Sequence, residues 1–255
     1  MNPYDLVIDI WEGNVNIDEP VLLAGGVGGI IIRLNHISGG HHKDTNFDAQ
    51  WIQAAPFMRT LYFVYSPWYT SLENFTWLKA NCPAERIGKR IMIDVEVVNP
   101  GYSPTEYARQ LDYFLDLCKQ VFIPVVYTGA WFLPLVAQWP TDVDYWWARY
   151  PFTWYPNPSE ARSWERINAD AAAQVWSPGT PPGPCYLWQI SGDRIKPPGC
   201  DRRAMDINLW KGTRQSLGDY LGSDVLPPPP PILTDHQKTD ILWREAALHG
   251  WSLQP

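Results

Sequence analysis

Short apolar runs recur along the first half of the chain, separated by stretches whose apolar positions repeat every three to four residues. The runs predict strands at Leu6–Ile10, Gly29–Leu34, Thr60–Tyr65, Arg90–Glu96 and Phe122–Tyr127. Helical spacing between them predicts helices near Asn46–Ala55, Leu72–Asn81, Pro104–Gln120 and Ala130–Gln138. The third helix is the best marked. Ser103 and Glu106 form a capping-box signature around Pro104 at the first helical position, and Tyr107, Leu111, Phe114, Leu115 and Cys118 share one face. Repeated strand–helix units of this size imply a parallel sheet, either a barrel or a doubly wound layer. After about residue 140 the rhythm changes. Tyr145–Arg149, Tyr186–Ser191 and Ala204–Leu209 read as strands, but Pro-, Gly- and Trp-rich loops separate them and no long helix intervenes. A barrel whose last strands lack helices gives such a rhythm.

The pattern also divides the chain. Residues 1–222 are expected to form the barrel and Ser223–Pro231 a linker, because five consecutive prolines favour a stiff polyproline spacer. Residues 232–255 are expected to form a short helical tail, started by Thr234 or Asp235 and carrying Ile241, Leu242, Ala246 and Leu248. That tail is too small to fold alone. Docking on the barrel, association with another chain and the start of a further module are all open for it.

Composition narrows the function classes. With 45 % hydrophobic and 18 % charged residues the chain can bury a sizeable core. The net charge of −7 argues against a nucleic-acid partner, which wants a basic face. No signal peptide is visible at the N-terminus and no segment is long enough for membrane insertion. Fifteen Trp and thirteen Tyr exceed the needs of an ordinary core, and such rings either fill the interior or stack on sugars. The cysteines show no metal-ligand spacing; Cys82 and Cys118 read as buried thiols, and Cys185 and Cys200 are candidates for a pair. His36, His41 and His42 have no carboxylate or Cys at a standard ligand spacing, so the loop reads as solvated, with no metal or cofactor expected.

The sharpest chemical signal is the run from Arg90 to Glu96. On a strand Arg90, Met92, Asp94 and Glu96 share one face, while Ile91, Ile93 and Val95 share the other. The aliphatic face suits packing against outer helices. Two carboxylates then face inward at the strand's C-terminal end, where barrel active sites are built. Acids so close cannot both ionise easily in a partly dry site, so one should hold a proton and serve as a general acid. Asp9 ends the first strand in the same manner, and Asp206 lies in the last. These four acids become neighbours only if the sheet closes.

In this ordered set the chain resembles the glycoside hydrolase family 25 lysozymes, the N-acetylmuramidases. The matching elements are Asp9, Asp94 with Glu96, Asp206, Asp44-x-x-Phe47, Val125-Val-Tyr127-Thr with Trp131, Trp147-Ala-Arg-Tyr150 and Leu187-Trp-Gln189-Ile-Ser, spread over residues 4–212. The resemblance implies an irregular, TIM-barrel-like β/α barrel with helices mainly in its first five units. It also implies hydrolysis of the β-1,4 bond between N-acetylmuramic acid and N-acetylglucosamine in peptidoglycan, by a monomer acting on the bacterial cell wall, outside the cell or on lysis as endolysins do. Glu96 would be the general acid, Asp94 its ionised partner, and Asp9 and Asp206 would orient the pair. Arg33, Tyr62, Tyr127, Trp147 and Trp188 are the expected sugar-binding residues. Departures cluster around the sugar site: Trp11-Glu12-Gly13, Arg33-Leu-Asn-His36 and Tyr62-Phe-Val64 replace the family's usual segments. They keep open a hydrolase of another N-acetylated polysaccharide, or a non-catalytic wall-binding protein on the same barrel.

Overall fold

The computed structural model describes residues 5–14, 17–38, 40–150, 176–195, 197, 199–200 and 205–222. The predicted linker and tail lie outside the described residues.

Eight strands close into a barrel. In chain order they are β1 (Asp5–Ile10), β2 (Val27–Arg33), β5 (Met58–Val64), β6 (Arg90–Asp94), β7 (Ile123–Gly129), β8 (Asp144–Ala148), β9 (Cys185–Ile195) and β10 (Met205–Trp210); β3 (Asn35–His36) and β4 (His42–Lys43) form a small hairpin outside it. Each of the eight overlaps a run expected from the apolar pattern. Seven barrel strands are mutually parallel, and β10 inserts antiparallel between β9 and β1. That reversal matters for the site. It brings the start of β10, with Asp206, to the same end of the barrel as the C-terminal end of β1, where Asp9 pairs directly with Asp206.

Among the described residues the α-helices are α1 (Glu19–Ala24), α2 (Phe47–Gln53), α3 (Ser71–Asn81), α4 (Pro104–Lys119) and α5 (Arg214–Leu221). In α4, Ser103 caps the Glu106 N–H as the sequence suggests, but the Glu106 carboxylate turns to Arg109 and Gln110, leaving a single-sided cap. The reciprocal box forms instead in α3, between Thr70 and Glu73. The buried face of α4 holds Tyr107, Ala108, Leu111, Phe114, Leu115 and Cys118. Burying each of its large apolar side chains is worth roughly 1.5–3 kcal/mol.

One expected helix is corrected. Ala130–Gln138 forms only a 3-10 turn at Leu133–Leu135, because Pro134 supplies no N–H to an α-helical ladder. The short helices α1 and α5 escape the periodic pattern; α5 is bounded by Thr213 as N-cap and by Gly222 at φ 67° as a left-handed C-cap. Cys185 and Cys200 are not bridged. The Cys185 thiol points at the Leu187 carbonyl, while Cys200 makes an isolated bridge to Ile17.

Strand parity sorts the core into two layers. Ile91, Ile93 and Val95 face the helices, as expected, together with Ile8, Ile30, Phe63 and Ile207. Inside the barrel lie Val7, Ile31, Met58, Met92, Val125, Tyr127, Trp146, Leu187 and Trp210. Leu217 and Leu221 of α5 join this inner column and close the end where the parallel strands begin. The antiparallel course of β10 delivers α5 there. The opposite end is left for the acids.

Candidate active site

The open end of the barrel is lined by the last inward residues of its strands. Asp94 ends β6 and sits in register with Val64 of β5 and Tyr127 of β7. Its side chain is almost wholly enclosed, with 6 % of the residue exposed, and its Oδ1 has no hydrogen-bond partner. Glu96 lies two residues on, beyond the end of the strand, and faces solvent. Burial raises the Asp94 carboxyl well above the usual range; Glu96, Asp9 and Asp206 push it further, and Arg33 pulls it back. Partial burial at the mouth also raises Glu96. Burial raises both carboxyls, Glu96 as the sequence predicts and Asp94 as well. Asp94 is the more enclosed of the two, and Glu96 reaches water.

A layer of neutral polar groups holds the outer pair of acids. Asn208 Nδ2 donates to Asp9 Oδ2 at 2.8 Å, and its Oδ1 accepts from Trp146 Nε1 at 2.6 Å. Gln189 bridges more widely. Its Nε2 lies 3.3 Å from Asp9 Oδ2 and 3.2 Å from Asp206 Oδ2, while its Oε1 accepts from the hydroxyls of Tyr127 at 2.8 Å and Tyr150 at 2.9 Å. An amide donates from one end and accepts at the other, so Gln189 can tie two carboxylates to two phenols. Neither Gln189, Asn208, Tyr150 nor Trp146 was among the expected site residues. The signal for the first two was present: a single amide interrupts the apolar runs Leu187–Ile190 and Ile207–Trp210.

The expected sugar-binding residues divide. Arg33 ends β2 beside Tyr62, and its Nε donates to Asp44 Oδ2 at 2.7 Å. Tyr62 points inward, its ring edge-on to Trp146 at 6.0 Å; burial, Asp9 and Asp94 hold its phenol well above the usual value, against Arg33. Tyr127 packs on Trp146 with centroids 4.4 Å apart and is raised by burial and by Glu96. Trp147 and Trp188 are not brought to the acids. Both are buried in the outer layer, where Trp188 Nε1 donates to the Arg149 carbonyl and Trp147 packs edge-on against Tyr145. In Tyr145-Trp146-Trp147-Ala148 the inward Trp is Trp146. Two adjacent Trp left that parity undecided from sequence.

Other rings reach the rim. Trp131 is 51 % exposed, and its centroid lies 6.3 Å from that of Tyr150. Gly129 makes that placement possible, since a Cβ there would meet the Trp131 ring at 2.1 Å. The site thus combines four acids from three strands, an amide bridge that fixes two of them, and exposed aromatic faces beside them. Such a set can hold a sugar ring by its apolar face and pass a proton to an oxygen on it.

Neither a protein-family model nor a curated protein sequence matches the chain. Solved structures do. A bacterial lysozyme from Streptomyces coelicolor superposes with a TM-score of 0.63 at 17 % identity, over 86 % of this chain and 97 % of that one. A family 25 glycosyl hydrolase from Bacillus anthracis gives 0.62 at 14 % identity, over 87 % and 95 %. A family GH25 lysozyme from Aspergillus fumigatus gives 0.62 at 17 % identity, over 86 % and 99 %. The chain therefore has the fold of the family 25 lysozymes, here a closed eight-stranded barrel.

Proposed function

We propose that the protein is a muramidase that hydrolyses the β-1,4 bond between N-acetylmuramic acid and N-acetylglucosamine in peptidoglycan. The observation that carries this reading is the Asp94–Glu96 pair at the open end of a lysozyme-type barrel, one carboxyl enclosed and charge-averse, the other facing solvent. Burial raises both carboxyls, and two acids this close do not both ionise easily, so the pair holds a proton. A glycan laid across the mouth would cover Glu96, remove its water and raise its affinity for the proton. An acetamido N–H presented to the unpartnered Asp94 Oδ1 would stabilise that carboxylate in turn. Substrate binding thus favours the proton on Glu96, which donates it to the leaving oxygen. Asp94 orients the acetamido group, whose carbonyl oxygen attacks the anomeric carbon, and water opens the resulting ring with retention. Asp9 and Asp206, fixed by Gln189 and Asn208, supply the negative field that favours the oxocarbenium-like transition state. Trp131 and Tyr150 offer stacking faces for neighbouring sugars, with Tyr62 and Tyr127 at the floor and Arg33 at its edge.

The test is clearing of a suspension of purified bacterial cell wall, with products identified by mass and anomeric form. New reducing ends on N-acetylmuramic acid, formed with retention, are expected. Cleavage of a different N-acetylated polysaccharide, or binding without cleavage, would replace this reading with another. An inverted product would remove the acetamido step.

A further inference from the structure

We propose that Glu12, His36 and Asp44 form a binding site for a first-row divalent transition-metal ion at the rim of the barrel. No sequence spacing announces the site, because its parts come from separate loops. Glu12 follows β1, while His36 and Asp44 stand on either side of the β3–β4 hairpin. Folding brings one imidazole nitrogen and one oxygen of each carboxylate within 4.8 Å of one another.

Each of the two carboxylates has one oxygen held by hydrogen bonds and one outside them. Asp44 Oδ2 is taken by Arg33 Nε at 2.7 Å and by the Glu12 N–H at 3.1 Å. Its Oδ1 is buried without a partner, on a side chain with 0 % exposure. Leaving such an oxygen unmet costs about 1–3 kcal/mol, more when charged. Glu12 repeats the division: Oε2 accepts from the Thr45 N–H at 3.1 Å, whereas Oε1 is 3.7 Å from Arg33 Nη2, beyond hydrogen-bond reach. His36 stacks on His42 with centroids 5.3 Å apart, which aligns its ring and leaves its nitrogens at the edge.

Charge and donor type then choose the ion. Two carboxylates against one guanidinium leave an excess negative charge, which a dication would reverse. Mixed nitrogen and oxygen donors suit Zn²⁺, Mn²⁺, Co²⁺ or Ni²⁺, whereas Ca²⁺ and Mg²⁺ prefer oxygen alone. Ligands about 2.1 Å from such an ion lie about 3–3.5 Å from one another. The present separations therefore require a small closure, which the flexible Glu12 side chain can make. Arg33 and the backbone N–H groups of Glu12 and Thr45 would become outer donors holding the carboxylates in place. The bound ion would clip the segment after β1 to the β3–β4 hairpin, beside Arg33.

The full chain, stripped with a chelator, is titrated with ZnCl₂ by calorimetry and by thermal melting. Neither readout depends on hydrolysis. The wild type is expected to take up Zn²⁺ saturably and to melt at a higher temperature with it. Both effects should be weakened about tenfold or more in His36→Ala and in Glu12→Gln, two partly exposed positions that leave the Arg33–Asp44 bond intact. His42→Ala should keep both. Absence of saturable uptake, undiminished binding in His36→Ala, or loss in His42→Ala alone would overturn the site.

Discussion

The two ends of the barrel interior treat charge in opposite ways. At the closed end the buried Arg86 guanidinium donates to Thr60 Oγ1 at 3.1 Å, to the Leu221 carbonyl at 2.7 Å and to the Arg90 carbonyl. Arg90 itself lies 3.4 Å from Asp144, its guanidinium 4.0 Å from the ring centre of Tyr220. Every one of these contacts ties α5 or the strand starts together. At the open end four acids converge, and one buried carboxylate oxygen has no partner. At the closed end cations face carbonyls, a carboxylate and an aromatic ring, which favours stability; at the open end like charges gather, which holds groups ready for a ligand. The same strands serve both purposes, separated by four or five residues.

The largest effect expected from breaking this contrast is on turnover. Glu96→Gln keeps size and hydrogen bonding but has no proton to give, so kcat on wall fragments should fall about 10²–10⁴-fold while the melting temperature holds. Near-normal turnover would transfer the acid role elsewhere. At the closed end the loss should appear in stability instead. Arg86→Met removes a donor from the Arg59, Arg90 and Leu221 carbonyls and the Thr60 hydroxyl and is expected to cost about 2–4 kcal/mol in denaturant unfolding, with KM unchanged in the protein that remains folded.

Asp94→Asn sharpens the comparison by reversing the sign. The folded Asp94 carboxyl is raised above its unfolded value, so its contribution to stability is complete at low pH and lost as pH rises through the folded value. Removing the ionisable group should stabilise the protein at neutral pH by about 1 kcal/mol and flatten its pH dependence, even as activity collapses. A less stable variant would mean that the mouth compensates this charge after all.

The smallest expected effect lies beside the mouth. His41 Nδ1 faces Asn35 Nδ2 at 3.1 Å and Nε2 faces Asn74 Oδ1 at 2.9 Å, with rings of Tyr69, Trp77 and Phe63 around it. The amide nitrogen of Asn35 is committed as a donor to the Val64 carbonyl as well, so His41 must accept there and stays neutral. Burial lowers its pKa; Asn74 and Glu73 oppose this, and His42 adds to it. Stability should therefore be level above about pH 6.5, the unfolded value, and decline below it. His41→Gln should flatten that decline in thermal melts across acidic pH, while leaving the Asp94 slope, of opposite sign, in place.

The sequence by itself determined where the barrel strands fall along the chain, the α4 face and the parity of β6, because period-two and period-3.6 burial are local consequences of backbone geometry. It also marked Asp9, Asp94, Glu96 and Asp206, since acids at or beside the ends of apolar strands stand out from the runs they border. Trp146 against Trp147 was beyond it: two equal neighbours carry no parity signal, and only the register with Tyr127 and Leu187 chose the inner one. The hydrogen bonds of Gln189 to Asp9 and Asp206 join strands 180 and 17 residues apart. Glu12 meets Asp44 across 32 residues. Which carboxyl of the central pair is enclosed likewise depended on where β6 ends against its neighbours. Burial and long-range hydrogen bonding belong to the closed barrel, and so the electrostatics of the mouth were decided by tertiary structure alone.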